Sequence, residues 1–275
     1  MLVVVGDSYR DLADGLWAGD PDAVAEVLEE MGQPLYDYLS LMLGDRDVAT
    51  HALADTIIVA LSHVRSLRDP ESLPAWLFAL ARREYRRRVR AAESRALPDT
   101  LGTLKRLPSG NQADDKAAST AELVYLALVR LDPLEREVVV LAQVRWLLNS
   151  HDIARIVGLR WADAAGVHGR ALRRWHDYIT SSGIGNGATP GELLGWVSEY
   201  LLGDVARERV IYMCLASDLA ERRRRVQEEA GPLGPDGFPV PPAQGATDNL
   251  VREGWLDGML RRLTFRSAPS GGPSR

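Results

Sequence analysis

The sequence contains one cysteine, Cys214. An intramolecular disulfide is therefore excluded, and a cysteine-based zinc site would lack partners. This usage fits a reducing compartment, and we expect a cytoplasmic protein. The five histidines show no metal-ligand spacing, so neither metal nor cofactor is expected. No stretch approaches about 20 uninterrupted apolar residues, which excludes a membrane span. The N-terminal MLVVVGDSYRD has only a short apolar run with no basic residues before it, too little for a signal peptide. The glycines of SSGIGNGATPGE follow no strand and precede no Gly-Lys-Ser/Thr, so they read as a flexible linker and not as a phosphate loop. No Ser/His/Asp or paired-carboxylate arrangement stands out, and the reading is of a protein that is not an enzyme.

What is present is a core-forming composition with its charges sorted along the chain. Hydrophobic residues make up 46% and charged residues 26%, enough for one large or two smaller domains in 275 residues. The net charge of −5 conceals an asymmetry. Residues 1–60 hold 12 acidic residues and two arginines, whereas residues 61–106 hold 11 basic and five acidic residues. The densest part is ARREYRRRVR, residues 81–90, with six arginines. A segregation of this kind predicts surfaces with different partners, a polyanion for the basic block among them.

Helix signals dominate, and the expected fold class is all-α. Asp20 caps and Pro21 starts a helix carried by Val24, Val27, Leu28, Met31, Leu35, Tyr38 and Leu39 at three- and four-residue steps. Gly44 and Asp45 end it. Further helices are expected over 46–64 and 73–91, with RSLRDPES as a turn between them. Residues 92–118 read as a linker. A second block follows, with helices over 121–131, from Asp132-Pro133 to about 146, over 150–157 up to Gly158, and over 160–179. Thr189-Pro190-Gly191-Glu192 is a capping box that opens a third block over about 190–229. Residues 230–246 should be irregular, 247–265 a last amphipathic helix, and the tail disordered. The only strand-like run is Leu2 to Val5. The domain expectation is therefore 1–91, a linker over 92–118, 119–180, and a C-terminal extension over 190–265. The apolar stripe of that extension, Val197, Tyr200, Leu201, Val205, Val210, Ile211, Leu215 and Leu219, requires it to fold back on the preceding blocks.

HDIARIVGL followed by RWADAAGVHGRALRRW has the form of a helix-turn-helix, with Ile153, Ala154 and Val157 inward and Gly158 at the turn. Its second helix could lie in a DNA major groove with Arg170, Arg173 and Arg174 near phosphates. With the preceding LDPLEREVVVLAQV, this block resembles region 4 of the sigma-70 family, above all the extracytoplasmic-function (group 4) sigma factors. The matching residues are Leu131, Pro133, Arg136, Glu137, Ile153-Ala154 and Gly158-Leu159. LGDRDVATHALADTIIVALSHV resembles region 2.2 of the same family, and SLPAWLFALARREYRRRVRA resembles regions 2.3 and 2.4. The resemblance covers about residues 20–180.

The resemblance implies a promoter-recognition subunit without catalytic residues of its own. RNA polymerase core and promoter DNA would be its partners, with an anti-sigma or other regulatory protein beside them. It places the arginine helix on the −10 element, with Arg82, Arg83, Arg86, Arg87 and Arg90 as DNA-binding candidates. Of these, Arg83, Arg86, Arg87 and Arg90 share one face. It places Asp47 and Asp55 against polymerase. Trp76 and Phe78 read as core. The sequence also departs from the family. The acidic run of region 2.2 is replaced by Ala49-Thr50-His51 and Leu53-Ala54-Asp55. The recognition helix carries Ala164, Ala165, Gly166 and Val167, which offer no hydrogen bonds to base edges. An alternative reading follows: a sigma-like transcriptional regulator that has lost ordinary core-polymerase or −35 binding and acts through protein contacts or simple DNA binding.

Overall fold

Local capping chemistry sets the element boundaries in the computed structural model, which describes residues 5–94, 112–144, 147–181, 187–215, 224, 226 and 232–240. Ten α-helices are found among these residues: α1 (Val5–Ala18), α2 (Pro21–Leu43), α3 (Arg46–His63), α4 (Leu73–Ser94), α5 (Gln112–Val129), α6 (Pro133–Leu141), α7 (Ser150–Val157), α8 (Trp161–Ser181), α9 (Pro190–Val197) and α10 (Arg207–Leu215). The Asp20 side chain accepts from the Asp22 amide, and Pro21 takes the first helical position. Gly44 leaves α2 in the left-handed region, φ 71°, where a side chain would be strained, and Asp45 at once caps α3. RSLRDPES forms two short 3-10 turns. The all-α expectation holds: the described residues contain no strand, only an isolated bridge between Leu233 and Pro239. No helix among them is long and apolar enough to cross a membrane.

Three expectations are corrected. The linker read over 92–118 is narrower, because α4 runs on to Ser94 and α5 is already helical at Gln112. Val5 opens a helix instead of closing a strand; residues 2–4 lie outside the described residues. Leu12 and Leu16, one turn apart, are buried on the side of α1 that meets α2. A β-carbon on Gly15 would stand 2.5 Å from that of Ala23, so the close approach of the two helices depends on this glycine. The helix that begins at Pro133 stops at Leu141, short of 146, and the chain then turns and buries Leu148. Asp132 makes no side-chain cap there, because its carboxylate faces Arg174.

The helices α1–α4 pack on one another around Leu35, Leu39, Leu53, Ile57, Trp76 and Phe78, with Tyr38 edge-on to Phe78 at 5.8 Å. Trp76 and Phe78 are fully buried, as expected of core residues. Helix α3 is buried almost all round: every residue from 52 to 60 is enclosed. An all-round apolar helix belongs inside a protein, and α2, α4 and α10 cover it. Helices α5–α8 form a second cluster, in which α6 and α7 both pack on α8.

The C-terminal segment ties back as its apolar stripe requires. Helix α9, opened by the Thr189–Glu192 capping box, packs on α5. A π-turn over residues 198–202 follows, and α10 crosses α2 and α3. Of the expected stripe, Val197, Leu201, Val205 and Val210 are buried and Tyr200, Ile211 and Leu215 half-buried; Leu219 lies outside the described residues. Cys214 is an enclosed apolar residue whose Sγ lies 3.5 Å from the Ala54 carbonyl on α3. Helix α4 packs on α7 and α2 on α6, so the first two blocks touch directly. All described residues fall in one compact unit, residues 1–241. The helix expected over 247–265 and the tail lie outside the described residues.

Candidate nucleic-acid interface

The first half of α4 is enclosed from Leu73 onward. Trp76, Leu77, Phe78, Leu80 and Ala81 are buried, and Arg82 follows them inside. Arg82 is 4% exposed. Its Nε donates to Glu137 Oε1 of α6 at 2.8 Å, and the Tyr38 hydroxyl donates to the same oxygen at 2.7 Å. Burial by itself would lower the Arg82 pKa; the charge and hydrogen bond of Glu137 outweigh it and raise the pKa. Burial, then Glu137, push the Tyr38 hydroxyl pKa well up. Arg82 was expected to meet DNA; here it is an internal cation that joins α4 to α6.

Arg87 and Arg88 of α4 meet acids as well. Glu84 is the one carboxylate inside the run, three residues before Arg87 and four before Arg88, the spacing at which helical side chains meet. Arg87 donates to both its oxygens at 2.8 Å, and Arg88 reaches Glu84 and Asp55 at 2.5 Å each. Asp55, buried in α3, also lies 3.5 Å from Arg87. Burial raises the Glu84 pKa against the opposing pull of the two arginines. Arg83 and Arg86 lie half-buried, and burial lowers the pKa of each; for Arg86 the like charge of Arg82 adds to this. Among the described residues, Arg83 Nη1 is buried without a hydrogen-bond acceptor. Arg90 is exposed at the end of the run, its Nε 3.3 Å from the Arg86 carbonyl. The face shared by Arg83, Arg86, Arg87 and Arg90 is thus partly enclosed, and only Arg90 stands fully outside.

Asp47 and Asp55, the polymerase-binding candidates, occupy opposite environments. Asp55 is enclosed beneath the arginines. Asp47 is exposed but pairs with Arg209 of α10 at 3.1 Å.

The helix-turn-helix is built by local chemistry. The Asn149 side chain accepts from the His151 and Asp152 amides while Asp152 accepts from the Asn149 amide, a reciprocal cap for α7. Gly158, φ 74°, ends α7, and Trp161 opens α8 three residues later. Ile153, Ala154 and Val157 are buried on one side, Ala164, Val167, Ala171, Trp175 and Ile179 on the other. Arg170 and Arg173 project from the exposed side of α8, and among the described residues no carboxylate pairs with them. Arg174 is different: its Nη1 lies 2.6 Å from Glu135 and 3.2 Å from Asp132, and hydrogen bonds to Tyr178, Glu135 and Asp132 raise its pKa. Trp161 is exposed and stacks on His151 at 5.8 Å between centroids.

Four residues outside the sequence-based candidates take part. Glu84 and Arg88 are legible from the i, i+4 rule. Glu137 has a signal only as a family position, and Arg155, described below, has none. Among the described residues, no group of three or more His, Cys, Asp or Glu could hold a metal. No protein-family model, no curated protein and no solved structure matches the chain.

Proposed function

We propose that the chain is a sigma-like transcription regulator that binds duplex DNA through α7 and α8 and does not engage core polymerase through α3. The observation that carries this reading is the enclosure of α3. In the family the chain resembles, the helix at this position faces polymerase; here residues 52–60 are buried under α2, α4 and α10. The acid expected to meet polymerase, Asp55, instead neutralises Arg87 and Arg88. Exposing this helix would open the first block's core, which a partner surface would then have to replace.

DNA contact in this reading comes from Arg170 and Arg173 on the open side of α8. Around them stand Ala165, Gly166 and Gly169, which allow close approach to a groove but supply no base-edge donors. Binding is therefore backbone-driven, salt-dependent and weakly sequence-specific.

The test uses the full chain. Fluorescence anisotropy with a labelled duplex, at salt from about 50 to about 200 mM, should give binding that weakens as salt rises. A pull-down with core polymerase followed by run-off transcription should give neither retention nor transcripts. Retained polymerase with promoter-directed transcripts would replace this reading by that of a promoter-directing sigma factor. No duplex binding at about 50 mM salt would remove the DNA-binding part.

A further inference from the structure

Residues 233–239, LGPDGFP, form a self-closed turn. The Gly234 amide donates to the Phe238 carbonyl at 2.7 Å, the Gly237 amide to the Gly234 carbonyl at 3.0 Å, and Asp236 Oδ1 accepts from the Phe238 amide at 3.1 Å. The turn is wedged between the two helical clusters. The Gly237 carbonyl accepts from Trp76 Nε1 in α4 at 2.8 Å. Gly237 has φ 84°, and a β-carbon there would stand 2.2 Å from the Ser66 carbonyl oxygen, so only glycine fits. On its other side the turn meets Arg155 of α7. Asp236 Oδ2 accepts from Arg155 Nη2 at 2.6 Å, and the guanidinium carbon lies 3.4 Å above the Phe238 ring centroid. Phe238 is 5% exposed.

Arg155 stands in the last turn of the first helix of the helix-turn-helix. In this motif that helix crosses the DNA backbone, where a guanidinium binds phosphate. The Asp236 carboxylate offers Arg155 the charge and oxygen that a phosphate would offer, and the Phe238 ring covers the rest. We propose that Arg155 is a DNA-phosphate contact of this protein and that the Asp236 carboxylate is a built-in phosphate mimic which occupies it until a DNA phosphate takes its place. The proposal rests on the DNA-binding reading above. The contact is self-limiting because it is partly solvated: the Arg155 and Asp236 side chains are 38% and 45% exposed. A surface pair of this kind is weak enough for a polyanion to displace.

The experiment is duplex binding by the full chain at about 100 mM salt, with Asp236→Asn, Arg155→Gln and the double variant. Asparagine keeps the acceptor for the Phe238 amide and removes the charge. Asp236→Asn should tighten binding about two- to fivefold, the equivalent of one exposed ion pair. The gain should disappear in the double variant, and Arg155→Gln alone should bind more weakly than the native protein. Added DNA should also speed hydrogen exchange at the Phe238 amide. Native-level affinity of Asp236→Asn overturns the proposal. So does a gain that survives Arg155→Gln, since it would then reflect only the removal of a negative charge. If the native protein and all variants fail to bind duplex at about 50 mM salt, the DNA-binding reading itself has failed; if the native protein binds and Asp236→Asn is no tighter, the phosphate-mimic proposal alone has failed.

Discussion

Helices α4 and α8 both carry arginines at helical spacing from their midpoints onward, yet they use them differently. In α4 the guanidinia of Arg82, Arg87 and Arg88 face acids, Glu137 from α6 and Asp55 from α3, with Glu84 from α4 itself. In α8, Arg174 turns toward Asp132 and Glu135, but Arg170 and Arg173 project into solvent. A basic run is therefore not by itself a polyanion site. Its role depends on which carboxylates the fold places opposite it, and how much water remains there.

The largest effect should come from breaking the buried junction. Glu137→Ala leaves the Arg82 guanidinium enclosed without its carboxylate and Tyr38 without its acceptor, at a cost of about 3–5 kcal/mol. Urea unfolding should show a lower midpoint. Arg82→Met and Glu137→Leu combined with Tyr38→Phe should recover most of this stability, because the apolar set needs no mutual neutralisation and leaves no buried hydroxyl without an acceptor. If Glu137→Ala unfolds at the native midpoint, α4 and α6 are not held by this pair.

A smaller effect is expected one helix further out. Asp55→Asn removes one of the two acids beneath Arg87 and Arg88 while Glu84 remains, and should cost about 1–2 kcal/mol by the same measurement. A cost as large as that of Glu137→Ala would show that Asp55 and not Glu84 organises the cluster.

A pH test addresses the C-terminal tie. Asp37 of α2 accepts from Ser198 Oγ and from Gln33 Nε2 at 2.7 Å, while Gln33 also holds the Gly203 carbonyl and the Val205 amide. Burial, only partly offset by these hydrogen bonds and reinforced by Asp204, pushes the Asp37 carboxyl up to about 6. Its native pKa thus lies above the unfolded one, so the native state holds the extra proton between about pH 4 and 6. This group's contribution to stability is greatest below that window and declines as pH rises through about 6. Asp37→Asn should be more stable than the native protein at about pH 7.5 by on the order of 1–2 kcal/mol, with the advantage gone near about pH 4. An advantage independent of pH would place the effect elsewhere.

The smallest effect on stability belongs to α8. Arg170→Ala with Arg173→Ala should stay within about 0.5 kcal/mol of the native protein, since both side chains are exposed. Duplex binding should weaken, and the slope of log K against log salt should fall by roughly 0.9 for each phosphate that is no longer neutralised. An unchanged slope would make this face a solvated one and remove the contrast with α4.

The sequence by itself determined the features that depend on neighbours a few residues away. The caps at Asp20, Gly44, Gly158 and Thr189, the helix-turn-helix and the all-α class are of this kind, because a cap or a periodic stripe is complete within one or two turns of chain. The first helix escapes such reading because a short β-branched run outweighs the Leu12–Leu16 pair that tertiary packing uses. The arginine run is legible as charge but not as contact. Arg82 finds Glu137 55 residues later, Arg88 finds Asp55 33 residues earlier, and Trp76 meets Gly237 across 161 residues. Nothing in local spacing selects those partners. Burial of the α3–α4 core fixes the register of α4, that register directs each guanidinium inward or outward, and only then do desolvation and the acids opposite decide which charges are left for a partner.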